Sequence, residues 1–198
     1  MSDLPSDFEL LSLWRGGDNR AGSNLVKRHY AALHRFFSGK THGQDEDLIQ
    51  QTFVACIEGR HAIRGDSTFR AYLFGLARFQ LFGHYRKVYR RPDLDFTISS
   101  LRDLGTSPTG ALQRRETAQL LALALQQIPV DQQIALELTF WEGLSAPEVA
   151  RALDIPENTV YSRLRRAKAH LREALEQLSE FEVERESALA LLSPRQES

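Results

Sequence analysis

Apolar residues recur at helical spacing along most of the chain, and no alternation of apolar and polar residues predicts a competing strand. In the first half, this spacing predicts helices over residues 20–37 and 44–58, the first preceded by a break at residues 16–18. A longer helix is predicted to begin near Ser67, where Asp66 or Ser67 can cap exposed backbone N–H groups. The predicted inner faces hold Leu25, His29, Leu33, Phe36, Leu48, Ile49, Phe53, Ile57, Phe69, Tyr72, Leu73 and Leu76.

The helical spacing stops between residues 92 and 110, where proline, glycine, serine, threonine and acidic residues accumulate. This composition is typical of a flexible linker. We therefore predict an all-α fold with two helical domains, at residues 1–91 and 112–178. A flexible linker at residues 92–111 joins them, and an acidic tail at residues 179–198 follows.

Helical spacing resumes after the predicted linker. One helix is predicted to end before Pro129, and Asp131 is well placed to cap the next one, which Gly143 ends. The inner faces predicted for these helices hold Thr117, Leu121, Ala124, Ile128, Ile134, Leu138 and Trp141.

Residues 143–168 hold the most informative pattern in the chain. Ser145 and Glu148 have the spacing of a capping box, which opens a short helix to about Leu153. A tight turn follows, and Pro156 lies in the first turn of a second helix that is rich in arginine. This is the layout of a helix-turn-helix, whose second helix enters the major groove of DNA.

If Val160 and Leu164 of that second helix face the core, then Asn158, Ser162, Arg165 and Arg166 point roughly outward, with Tyr161 at the edge. Amide, hydroxyl and guanidinium groups are the types that read base edges and phosphates. The candidate DNA-binding residues are Asn158, Thr159, Tyr161, Ser162, Arg163, Arg165 and Arg166. The alternative is a solvated charged face, which would mix acidic with basic residues. Because residues 158–168 contain no acid, the pattern favours DNA binding.

The formal net charge of −1 argues against a nucleic-acid partner, but the charge is unevenly distributed. Residues 60–91 hold eight arginines and lysines against one acid, and residues 151–172 hold six against two. Residues 173–198 hold two against seven. Since a local basic stripe sets the electrostatic footprint on DNA, the two basic blocks remain candidates for DNA contact.

Aromatic rings interleave with the first basic block on more than one face of its helix. The rings belong to Phe74, Phe79, Phe82, Tyr85 and Tyr89. Aromatic faces beside cations suit unstacked bases, because the rings stack on the bases and the cations follow the backbone. Core packing is the alternative, and we expect about half of the rings to be core. The candidate contacts to separated strands are Arg60, Arg64, Arg78, Phe79, Phe82, Arg86 and Lys87.

A polar face lies on the helix predicted at residues 44–58. Its members are Asp45, Glu46, Asp47, Gln50 and Gln51. Acids at a helix start often interact with the helix dipole and cap the first turn. A docking surface for a partner is an equally good interpretation of this pattern.

Composition also bears on disulfides, metal binding, catalysis and membrane insertion. Cys56, as a single cysteine, excludes an internal disulfide and is expected in the core. The histidines form no metal-ligand spacing and no catalytic grouping is evident, so we expect no metal, cofactor or enzyme activity. No apolar run is long enough to cross a bilayer, and the acidic N-terminus has no signal-peptide core. We therefore expect a soluble, cytoplasmic protein without membrane insertion.

Together, motifs in both halves resemble the extracytoplasmic-function (ECF) sigma factors of bacterial RNA polymerase. Residues 45–53 resemble the segment that docks on the polymerase clamp helices. Residues 69–73 resemble the start of the segment that melts and reads the minus-ten element, and residues 60–68 correspond to the loop that captures a flipped-out base. Residues 143–145 and 159–167 resemble the helix-turn-helix that reads the minus-thirty-five element.

The resemblance implies a promoter-specificity subunit that recruits RNA polymerase core to these two elements and melts DNA, while the polymerase forms the bonds. Its partners would be the clamp helices and flap of the core, promoter DNA and, as is usual in the family, an anti-sigma factor. The acidic linker would thread into the RNA exit path. The polymerase-binding residues that it implies are Asp45, Asp47, Leu48, Gln50 and Gln51. The chain departs from the family pattern at Gln51, Phe79, Asp154 and Tyr161.

Two other function classes are open at this point. A sigma-like decoy would bind an anti-sigma factor without recognising promoters, and it would need no outward arginines such as Arg165 and Arg166. A stand-alone helix-turn-helix regulator would leave the aromatic, basic helix of the first half unexplained. Dependence on core polymerase would separate all three.

Overall fold

The computed structural model describes residues 5–41, 43–61, 63, 68–97, 99–101 and 116–178. Within these ranges every regular element is a helix, which confirms the predicted all-α fold class. Predictions for residues 64–67, for residues 102–111 of the linker, for residues 112–115 of the second domain and for the tail at residues 179–198 lie outside the described residues.

The N-terminal half contains α1 (Asp7–Arg15), α2 (Asn19–Phe37), α3 (Asp45–Gly59) and α4 (Phe69–Val88). Helix α1 packs on α2, and α3 packs on both α2 and α4. The three longer helices begin within two residues of their predicted positions. Sequence reasoning did not identify α1, whose short apolar stripe is buried against α2.

Side-chain caps mark where α2 and α4 begin, whereas α3 begins without one. The carboxylate of Asp18 accepts hydrogen bonds from backbone N–H groups in the first turn of α2. At α4 the prediction is wrong by one or two residues, because the N-cap is Thr68 rather than Asp66 or Ser67. The backbone of Thr68 is extended, and its hydroxyl accepts a hydrogen bond from the N–H of Ala71 at 3.2 Å.

The first two helices approach closely at a glycine. Gly17, with φ of 102°, lies in the turn between them, a conformation that favours glycine. Gly22 then lies directly against the buried indole of Trp14, and a Cβ atom at position 22 would collide with that ring. A glycine at position 22 is therefore required for α1 to lie against α2.

The C-terminal half contains α5 (Glu116–Leu125), α6 (Val130–Leu136), α7 (Ala146–Leu153) and α8 (Glu157–Leu178). A π-helical turn, Glu137–Trp141, continues α6. Helix α8 is the centre of this half, because α5, α6 and α7 all pack against it.

Two predictions for the C-terminal half are wrong. Asp131 does not cap α6, because that helix begins without a side-chain cap. The carboxylate of Asp131 instead pairs with Arg78 and Arg163. Trp141 does not continue the inner face of Ile134 and Leu138, since it is 43% exposed whereas they are buried. The reason is the π-helical turn, which rotates the positions that follow it relative to a continuous α-helix.

The first part of the predicted linker is packed against both halves. Leu94, Phe96 and Leu101 are buried, and the ring of Phe96 stacks on that of Phe82 with 3.9 Å between centroids. The carbonyl of Phe96 accepts a hydrogen bond from the N–H of Asp131 at 3.1 Å. Phe96 therefore connects α4 to α6, while the domain bounds themselves stay a prediction.

A continuous apolar core runs through both halves. It joins buried side chains of α4, such as Phe74 and Leu81, with Val149 and Leu153 of α7. Helix α4 packs on α3 and on α7, so it belongs to the interior of the whole molecule. Across the described ranges, none of the helices is both long enough and apolar enough to span a bilayer.

Candidate nucleic-acid interface

The helix-turn-helix forms from strong local signals. The carboxylate of Glu148 accepts hydrogen bonds from the N–H of Ser145 at 2.8 Å and from its hydroxyl at 2.6 Å, which confirms the predicted capping box. Helix α7 ends at Leu153 as predicted, and Asp154 takes a left-handed conformation with φ of 54°. This short turn brings the N-terminus of α8 to the surface beside α7.

Electrostatics at the capping box also involve the N-terminal half. Burial alone raises the pKa of Glu148, but hydrogen bonds from Ser145 and Thr68 outweigh burial and hold that pKa below its ordinary value. Because Thr68 is the N-cap of α4, the carboxylate of Glu148 connects the starts of α7 and α4.

Helix α8 presents an exposed polar face, as its periodicity predicts. Val160 is buried and Leu164 packs against the core. The exposed members of the candidate set are Asn158, Tyr161, Arg165 and Arg166. Thr159 and Ser162 are half-buried, and the hydroxyl of Ser162 donates a hydrogen bond to the carbonyl of Thr159 at 3.0 Å. Which of these side chains touches DNA stays a prediction.

Arg163 is placed differently from the other candidates on α8. Its guanidinium Nη1 lies 3.0 Å from Oδ2 of Asp131, and its side chain is 12% exposed. Sequence reasoning assigned Asp131 to a helix cap and therefore did not identify this ion pair. In the structure Arg163 faces α6 rather than solvent.

The candidate contacts to separated strands lie partly on the surface of the protein and partly in its core. Phe79 is 70% exposed, and Arg86 and Lys87 are exposed near the C-terminus of α4. Phe82 is buried under Phe96.

Three of the arginines predicted for this surface lie over aromatic rings of the protein, and one of them, the exposed Arg86, lies 5.4 Å from the centroid of the Phe96 ring. Arg78 lies over the Phe82 ring and 3.4 Å from Asp131. Arg60 is half-buried over the Trp14 ring and donates to the carbonyl of Ile57, while Arg64 lies outside the described residues.

The aromatic residues of α4 divide between core and surface, as expected. Phe74, Phe82 and Tyr85 are buried, Tyr89 is half-buried and Phe79 is exposed. Burial explains the raised pKa of Tyr85, whose hydroxyl donates to the carbonyl of Lys40 at 3.0 Å.

The candidate polymerase-binding residues of α3 are also partly exposed and partly buried. Asp47, Gln50 and Gln51 are exposed, and the amide of Gln51 donates to Asp47 at 2.6 Å. Leu48 is buried in the core, and Asp45 accepts a hydrogen bond from the hydroxyl of Thr41.

Helix α3 also carries apolar residues on its surface. Ile57 does not lie inside as predicted, since it is 43% exposed, and Val54 is 53% exposed. Apolar residues thus extend the exposed polar face of α3.

Tyr30 of α2 donates to Glu46 at 2.6 Å, which raises the pKa of Tyr30.

Comparison with known proteins places this architecture in a family. Residues 118–171 match the family model for sigma-70, region 4, a range that includes all of α7 and most of α8. The RNA polymerase sigma-H factor of Pseudomonas aeruginosa is 30% identical over 184 residues, which cover 87% of this chain and 95% of that protein.

Two further proteins are similar over most of their length. The ECF RNA polymerase sigma factor SigM of Mycobacterium tuberculosis is 29% identical over 168 residues, covering 84% of this chain and 83% of that protein. The solved structure of CnrH in complex with the cytosolic domain of CnrY matches with a TM-score of 0.62 and 26% identity, covering 87% of this chain and 99% of that one.

The helical fold and the outward-facing helix-turn-helix define a DNA-binding protein of transcription initiation. More narrowly, the chain belongs to the extracytoplasmic-function family of bacterial RNA polymerase sigma factors.

Proposed function

We propose that this chain is the promoter-specificity subunit that recruits RNA polymerase core to minus-ten and minus-thirty-five elements and melts the DNA for initiation. It acts in the bacterial cytoplasm, and bond formation is left to the polymerase. The observation that carries the proposal is the exposed face of α8, which contains no acid between residues 158 and 168, in a chain of the sigma family.

Duplex DNA at the minus-thirty-five element is assigned to α8. Recognition helices present their N-terminal residues to base edges in the major groove, which is where Asn158 and Tyr161 lie. The amide of Asn158 can pair with adenine, and the ring of Tyr161 can pack on a thymine methyl group. Arg165 and Arg166, one to two turns further on, can reach guanine or the phosphates.

Separated strands at the minus-ten element are assigned to α4 and the loop before it. Phe79 exposes a ring on which one base can stack. Arg86 lies seven residues later, so it is on the same face about 10 Å along the helix, where a cation can hold the sugar-phosphate backbone. Lys87 extends this basic end.

Docking on the clamp helices of the polymerase is assigned to the outer face of α3. Asp47, Gln50, Gln51, Val54 and Ile57 are exposed and lie at helical spacing on one side. Exposed apolar groups beside polar ones are the composition of a protein-binding surface. An anti-sigma factor is retained as a further partner, to be identified by co-purification from the native cell.

A core-dependence experiment tests the proposal. The chain, RNA polymerase core and a library of duplexes with randomised minus-ten and minus-thirty-five segments are mixed, and bound duplexes are sequenced. We expect selection of defined sequences and permanganate-reactive thymines only when both proteins are present. Sequence-specific binding without core would instead indicate a stand-alone regulator, and absence of any core-dependent opening would overturn the proposal.

A further inference from the structure

The last residue of α1 reaches the loop between α3 and α4. Nε of Arg15 donates to the carbonyl of Arg60 at 2.8 Å, and Nη2 of Arg15 donates to the carbonyl of Ile63 at 2.5 Å. A planar guanidinium holds its N–H groups in a fixed fork, so one side chain sets the spacing and direction of two backbone carbonyls. Its partners lie 45 and 48 positions away along the chain. The start of this loop is therefore fixed from another helix.

The two residues whose carbonyls Arg15 binds are also held by their own side chains. Ile63 is 6% exposed and belongs to the apolar core. The guanidinium carbon of Arg60 lies 5.8 Å from the centroid of the Trp14 ring, and its Nη1 donates to the carbonyl of Ile57 at 2.6 Å. Within the described ranges, the buried Nε of Arg60 has no hydrogen-bond partner. Since an unpaired buried N–H costs free energy, contacts with α1 hold Arg60 in place against that cost.

The other end of the loop is supported through the same helix. Nε2 of His29 lies 2.7 Å from Oδ2 of Asp7, the first residue of α1. The ring of His29 lies 5.3 Å from that of Phe69, the first residue of α4, and both residues are buried. The two ends of α1 therefore contact the two sides of the α3–α4 connection, Arg15 directly and Asp7 through His29.

Helix α1 is a rigid support because it is itself fixed on α2. Leu10 and Leu11 are buried, and Trp14 lies directly against Gly22. The carboxylate of Asp7 also pairs with Arg28 of α2 at 2.8 Å. These contacts keep the fork of Arg15 in a defined place relative to the core.

We propose that Arg15 is a positioning residue for recognition of the separated strand at the minus-ten element. Its fork sets the path of the loop before α4, and that path determines which base the loop accepts. The inference rests on the proposed function, which assigns this loop and α4 to separated strands. Groups that recognise a ligand must be held to within about 0.5 Å by the residues around them. Arg15 acts through the backbone of Arg60 and Ile63 and needs no contact with DNA.

Loss of positioning can be distinguished from loss of folded protein. A variant that only lowers the amount of folded chain reduces the opening of every promoter by the same factor, so the ratio between promoters is unchanged. A variant in which the loop takes other paths lowers the preference for the selected base. Lysine at position 15 keeps the charge but has an ammonium in place of the fork, so it does not reproduce the geometry at both carbonyls.

Arg15→Lys tests the inference in the full chain with core polymerase. Opening is measured by permanganate on the selected promoter and on three duplexes with the other bases at the most strongly preferred minus-ten position. We expect the preference for the selected base to fall at least about fivefold, while base preference at the minus-thirty-five element is unchanged. Arg20→Lys, which changes an exposed arginine in the first turn of α2, is the matched control and should keep both preferences.

An unchanged minus-ten preference in Arg15→Lys would overturn the inference. An equal loss of preference at both elements would also overturn it, because a loop path affects only one of them. If the wild-type chain with core opens no promoter, it is the proposed function that fails.

A second variant decides the matter if circular dichroism shows that Arg15→Lys does not fold. Ile63→Val removes one methylene from the buried side chain that anchors one of the two carbonyls. Its minus-ten preference should fall at least about twofold with the minus-thirty-five preference retained. A preference equal to that of the wild-type chain would then refute the positioning role.

Discussion

Helices α4 and α8 carry similar densities of basic residues, but the structure uses them differently. On α8, Arg165 and Arg166 are exposed on a face without acids. On α4, Arg70 and Arg78 pair with Glu142 and Asp131 from the other half of the molecule. A basic side chain is therefore available for DNA only where tertiary structure brings no acid to it, and Arg163 of α8, which pairs with Asp131, follows the same rule.

The apolar sides of the two helices differ as well. Helix α4 is surrounded, with α3 on one side and α7 on another, whereas α8 packs on the C-terminal half and presents its N-terminal turns to solvent. Substitutions on α4 should therefore affect folding first, and substitutions on the outer face of α8 should affect binding first.

The largest effect should come from the core side of α4. Leu81 is fully buried, so Leu81→Ala removes apolar contacts and leaves a cavity, at a cost of about 2–5 kcal/mol in the free energy of unfolding. Urea titration followed by circular dichroism measures it. Arg165→Ala on the outer face of α8 should change stability by less than about 0.5 kcal/mol. Equal losses in the free energy of unfolding for Leu81→Ala and Arg165→Ala would contradict the difference between α4 and α8.

On α8 the expected loss is in binding. Arg166→Ala should weaken binding of the chain with core to its selected promoter by about 1–3 kcal/mol, because an exposed guanidinium toward DNA is removed. Fluorescence anisotropy at fixed salt measures the affinity. Arg172→Ala is the matched control, since it removes an exposed arginine near the other end of the same helix. Unchanged affinity for Arg166→Ala would refute the role assigned to it.

Phe79 differs from the buried aromatic residues of α4 because its ring is exposed. It therefore tests whether α4 also contributes to binding. Phe79→Ala should impair melting by about 1–3 kcal/mol, the value of one base stacked on a ring, with a smaller effect on duplex binding. Permanganate footprinting reports melting and anisotropy reports binding. Phe79→Tyr keeps an aromatic face and should retain most of the activity. A greater loss in duplex binding than in melting would reverse the assignment.

The smallest effect is expected at the start of α7, which positions α8. Ser145→Ala removes a helix cap and should cost about 1 kcal/mol in stability, whereas Ser145→Thr keeps the hydroxyl and should cost less. Hydrogen bonds from Ser145 help to hold the pKa of Glu148 low, so this contribution is present near neutral pH. It should disappear as the pH falls through the lowered pKa of Glu148. A loss that persists in acid would point to another cause.

The sequence predicts the helix-turn-helix well because its signals are local. Each signal depends on neighbours within a few residues. These signals are the capping box at Ser145, the end of the helix at Leu153 and the helical spacing that buries Val160. The outward positions of Asn158 and Arg165 then follow from helical geometry.

The contacts between the two halves were not predictable from the same signals. Asp131 stands where a helix cap is common, and its arginine partners lie 53 and 32 positions away along the chain. Phe96 lies in a segment whose prolines and acids are typical of a linker, although its ring is buried against Phe82. Pairings between distant segments leave no mark on local periodicity.

The π-helical turn at Glu137–Trp141 has a consequence for how the protein can change. Deleting one residue there would restore a plain α-helix and turn everything beyond it by about 100°. Glu142 would then swing away from Arg35 and Arg70, and Trp141 would turn towards the interior. A change of length by a single residue, in a turn that reads no base, would thus remove the ion pairs of Glu142 between the two halves while leaving their other contacts and both reading surfaces chemically intact.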